Sequence, residues 1–108
     1  MTDIAALREE CSRLSERLER DVAWSELNAI YLELAPLIGK LQGAVGEHRG
    51  VCGDSPSSRC AEDALDRLKR TARQIGLDMR LASPAATAIG LQTAMESARE
   101  TIDCLEQG

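Results

Sequence analysis

Apolar side chains recur along almost the whole chain at alternating steps of three and four residues, and few folds accommodate that recurrence. Ile4, Leu7, Cys11, Leu14 and Leu18 form a first seam. Trp24, Leu27, Tyr31, Leu34, Ile38, Leu41 and Val45 form a second, Ala61, Leu65, Leu68, Ala72, Ile75 and Met79 a third. Leu91, Met95, Ala98, Ile102 and Leu105 form the fourth. Steps of three and four keep side chains on one face of a helix, whereas a strand needs strict alternation, which appears nowhere. A repeat of seven also favours left-handed packing at shallow crossing angles. The 108 residues leave room for one domain, so residues 1–108 are read as an all-α, four-helix antiparallel bundle made of two helical hairpins.

Helix limits follow from the breakers. Gly46, Gly50, Gly53 and Pro56 end the second segment and open the third. Ser55-Pro56 and Ser83-Pro84 each combine an N-cap hydroxyl with proline at the first helical position, where its missing N–H costs nothing. Segments one and two are separated only by a slip of the seam between Leu18 and Trp24, read as a tight turn with Asp21 as cap; the rival is one long helix to residue 46. The expected helices are 3–20, 23–46, 56–82 and 84–106. Pro36 falls on the outward face of the second, where it removes one backbone hydrogen bond, so that helix is expected to continue through it with a kink. Ile30 and Leu37 add a second apolar stripe to this helix, which must then be covered on more than one side, by its own chain or by another copy. With an aliphatic core lacking any Phe, that excess predicts a homodimer.

Charge and cysteine usage narrow the function. A formal net charge of −5 argues against nucleic-acid or anionic-membrane partners. The basic strip Arg67, Lys69, Arg70 and Arg73 lies beside Asp63 and Asp66, each four residues ahead of an arginine, and is read as ion pairing between helices. "MTDIAALREE" has no apolar run and no stretch approaches a membrane span, so a cytoplasmic protein with four free thiols is expected.

His48, Cys52 and Cys60 gather in "GEHRGVCGDSPSSRC". Their spacing matches no common zinc knuckle, and the favoured reading makes the segment a connecting loop. A Cys52–Cys60 bridge and an approach of Cys11 to Cys104 are the disulfide alternatives. No phosphate loop, nucleophile elbow or histidine pair is present, so no enzyme, metal or cofactor is expected. "LREECSRLSERL" resembles the first helix of the all-helical chorismate mutases over that segment alone. The rest of the chain shows no matching basic active-site pattern, and no activity is carried over.

What remains is a small cytoplasmic interaction module, of anti-activator or adaptor type, that binds a partner protein through an apolar helical face. Trp24, Leu27, Ile30, Tyr31 and Leu37 are its expected contact residues, since aromatic side chains anchor interfaces. The alternatives are a metal or redox sensor using His48, Cys52 and Cys60, and a chaperone of the secretion type covering an apolar client segment.

Overall fold

The computed structural model describes residues 3–20 and 23–107. Four helices account for nearly all of them: α1 (Ile4–Arg20), α2 (Trp24–Cys52), α3 (Pro56–Asp78) and α4 (Pro84–Gln107). Each runs antiparallel to the next. Arg17 of α1 pairs with Glu26 and Glu33 of α2, whereas Glu10, nearer the start of α1, meets Lys40 at 3.0 Å. Arg67 of α3 pairs with Glu100 of α4, and Arg8 of α1 meets Asp103 of α4 at 2.9 Å. The single long helix to residue 46 is therefore excluded. Asp21, the expected cap between α1 and α2, lies outside the described residues.

The bundle is a rhomb rather than a square. α2 and α4 touch across the short diagonal, while α1 and α3 make no contact with each other among the described residues. α2 is thus covered by three neighbours, which explains its two apolar stripes. Leu27, Leu34 and Leu41 on one, and Ile30 and Leu37 on the other, are all buried within the same chain. The seams of α1 and α4 are equally well used: Leu7, Cys11, Leu14 and Leu18 are buried, as are Leu91, Met95, Ala98, Ile102 and Leu105.

Both serine–proline signals act as helix starts. The Ser58 amide donates to Ser55 Oγ at 3.2 Å, and the Ala86 amide to Ser83 Oγ at 3.1 Å. Two boundaries differ from expectation. α2 continues past Gly46 and Gly50 to Cys52, so the loop before α3 shrinks to three residues. Glycine weakens a helix by about 1 kcal/mol but does not forbid it. The glycine that stops α2 is Gly53, which adopts φ 68° and donates its N–H to the Arg49 carbonyl. α3 ends at Asp78 rather than 82, because the residue before Pro84 is driven out of the helical region and the reversal occupies the preceding turn. There, the Leu81 and Ala82 amides both donate to the Asp78 carbonyl.

Glycines inside the helices divide into two kinds. A methyl group at Gly39 would meet nothing, whereas one at Gly76 would strike the Tyr31 hydroxyl end. Gly39→Ala is expected to raise stability by about 0.5–1 kcal/mol through the helix preference of alanine. Gly76→Ala gains the same preference but must displace the Tyr31 hydroxyl end, so it is expected to fall short of Gly39→Ala by ~1–3 kcal/mol. Urea unfolding of both variants checks the contrast, and adding Tyr31→Phe should recover part of the Gly76→Ala shortfall.

Candidate functional site

The segment holding the histidine and two cysteines is a splice between helices. His48, on α2, has Nε2 2.9 Å from Ser57 Oγ, which lies 3.0 Å from Ser55 Oγ. Ser55 also donates to the fully buried Ser58 Oγ. These hydroxyls close the first turn of α3 and tie it to the last turns of α2. Arg49 reinforces the join by pairing with Glu62.

The cysteines do not converge there. Cys60 is bonded to Cys104, with a Cα–Cα distance of 5.6 Å, while Cys52 stays free and exposed and Cys11 free and buried. Neither alternative pairing forms, and the expectation of four free thiols is corrected for Cys60 and Cys104. Antiparallel α3 and α4 bring these two within the separation a disulfide spans. A signal for the pairing was present in the sequence: both cysteines stand equally far from Ala82, in the turn about which the hairpin folds. Among the described residues no group of three or more His, Cys, Asp or Glu side chains could hold a metal ion.

Cys11 and Cys52 differ sharply in chemistry. Burial, and after it the neighbouring Glu10 carboxylate, push the Cys11 thiol from its ordinary 9.0 up to about 11. Folded protein then keeps a proton that unfolded chain has lost. Stability is expected to be unaffected below about pH 9, and to fall between pH 9 and 11 by at most ~1.4 kcal/mol per pH unit. The Cys11→Ala protein should lack this component of the slope in denaturation measured across that range. A maleimide at neutral pH should label Cys52 alone until the fold is opened.

The expected contact residues separate into two sets. Leu27, Ile30 and Leu37 are completely buried in the chain's own core, so folded protein cannot present them. Trp24 is exposed, at 40%, and Tyr31 is half-buried against the core. Tyr31 also lines a shallow groove of about 190 Å³ between α2 and α3, with Leu32, Ala35, Ile38, Ala72 and Arg73 around it. Leu32, 62% exposed, was missed because it belongs to neither stripe of α2. Its signal was an aliphatic side chain off both seams.

The basic strip of α3 is paired between helices, as expected, at Arg67. Arg67 reaches across to Glu100 of α4 rather than back to Asp63, and Asp66 forms no ion pair with Arg70. No helix among the described residues is long and apolar enough to cross a membrane.

Together these features define a small all-α four-helix bundle, stapled between α3 and α4, with an apolar groove open between α2 and α3. Comparison with known proteins finds no matching family, no matching curated protein and no matching solved structure.

Proposed function

We propose that the protein is a regulatory interaction module, of anti-activator or adaptor type, which binds a partner protein through the outer surface of α2. One observation carries this. Tyr31, Leu32, Ala35 and Ile38 keep apolar surface in one continuous groove after the core of the bundle is complete. Isolated exposed aliphatics are ordinary, but a contiguous apolar groove is a common recognition feature. Trp24 lies two helical turns from Tyr31 on the same helix and extends the surface toward the start of α2. Two features of the expected fold belong to the same proposal. A bend of α2 at Pro36 would free the Leu32 carbonyl at the edge of the groove, and self-association would cover exposed Leu77, Leu81 and Ile89 near the α3–α4 turn. A concentration series by light scattering measures the second.

A photo-reactive amino acid placed at position 32, and separately at Glu9 on the outer face of α1, tests the proposal in cells. Adducts of one defined protein at position 32, absent at position 9 and absent when Tyr31→Ala is added, are expected. Equal labelling at the two positions would overturn it.

A redox reading is favoured by a separate observation, the Cys60–Cys104 bond, with Cys52 free near the same end of the bundle. Disulfides persist in oxidising compartments, so in a reducing cytoplasm, where we place the protein, this pair would close only on oxidation. Trapping thiols in intact cells and weighing the protein distinguishes the two states by two hydrogens.

A further inference from the structure

We infer that the groove between α2 and α3 receives an acidic amphipathic helix of the partner protein; the inference rests on the interaction reading above and specifies its ligand. Charge is sorted around α2. Its Glu26, Glu33 and Lys40 recur every seven residues and are all engaged with α1. The side turned to α3 carries no acid, and the groove is lined there by Tyr31, Leu32, Ala35 and Ile38.

The opposite wall is cationic. Arg73 lines the groove, and Gly76 lies against Tyr31. Lys69 precedes Arg73 by one helical turn, so the two share one side of α3 with Gly76. Arg8, Arg17, Lys40, Arg49 and Arg67 all pair with carboxylates of another helix. Lys69 and Arg73 pair with none among the described residues, as do Arg13, Arg70, Arg80 and Arg99 away from the groove lining. The groove between α2 and α3 therefore has an unanswered cation, Arg73, on its wall and a second, Lys69, one turn away, with no acid in its lining. Carboxylates flanking an apolar stripe would satisfy both walls, and the acidic remainder of the surface would disfavour other orientations. The trough between two packed helices also runs in the direction a third helix needs.

The test uses four labelled probes and fluorescence anisotropy. The first is a peptide of about 20 residues, ~30 Å long as a helix, with leucines at helical spacing flanked by glutamates. In the second lysine replaces each glutamate, in the third serine replaces each leucine, and the fourth is a single-stranded oligothymidylate. The acidic peptide is expected to bind saturably and the others weakly. The protein carrying Lys69→Glu and Arg73→Glu, with its helix content verified by circular dichroism, should bind the acidic peptide at least tenfold more weakly and gain affinity for the lysine peptide.

Equal binding of acidic and lysine peptides, or preference for the oligonucleotide, would overturn the inference. So would a self-associated protein that Arg73→Glu renders monomeric, since the occupant would then be a second copy. Adducts at position 32 in cells with no acidic-peptide binding would sink the acidic ligand while leaving the interaction module standing. Loss of both would remove the module as well.

Discussion

Breaking the Cys60–Cys104 bond is expected to lower the stability of the protein by about 4 kcal/mol. The bond joins residues 44 apart, and closing a loop of that size removes chain entropy from the unfolded state by roughly that amount. A small domain has only about 5–15 kcal/mol in total, so the loss would dominate its stability. The measurement is urea unfolding of oxidised protein, of protein held in excess reductant, and of Cys60→Ser and Cys104→Ser. The last three should coincide within about 1 kcal/mol, because each removes the same constraint. A reduced protein as stable as the oxidised one would show that the bond restrains nothing.

The second large effect concerns two leucines that look alike in the sequence. Leu91 is fully buried on α4, which like α2 touches all three other helices, whereas Leu32 is 62% exposed. Leu91→Ala should cost about 2–5 kcal/mol, from lost burial and from the cavity left behind. Leu32→Ala should change stability by no more than ~0.5 kcal/mol. Paired urea melts give both values. The comparison also separates core from contact surface: Leu27, Ile30 and Leu37 should behave like Leu91 when shortened, and Leu32 alone should alter partner adducts without altering the fold.

Fold class and most of the core were legible because helical burial leaves a periodic trace. Every apolar position in the α1 and α4 seams is at least partly buried, and both serine caps stand at the helix starts their prolines mark. Features depending on how helices face one another were less legible. The double stripe of α2 announced a helix covered on several sides, but periodicity alone does not tell a neighbour in the same chain from one in another. The contact residues assigned to the second stripe therefore fell inside the core. Arg67 had an acid four residues before it and another across the bundle, and only the packing of α3 on α4 decides for Glu100. Glycine frequency misled at Gly46 and Gly50, where the cost is small enough for an adjoining helix face to absorb. At Gly53 a positive φ made the same residue type the true end.

The missing contact between α1 and α3 gives the bundle an order of opening. α3 and α4 are closed at one end by a short turn and at the other by a covalent bond, and α2 packs on both. α1 rests on α2 and α4 alone, and apart from the partly buried Arg17–Glu26 pair its polar ties are ion pairs at the surface, which contribute little. Local openings require fewest broken contacts there, so its amide hydrogens should exchange with solvent earliest and those of the stapled hairpin last. Detachment of one helix would uncover Cys11 while leaving the α2–α3 trough whole.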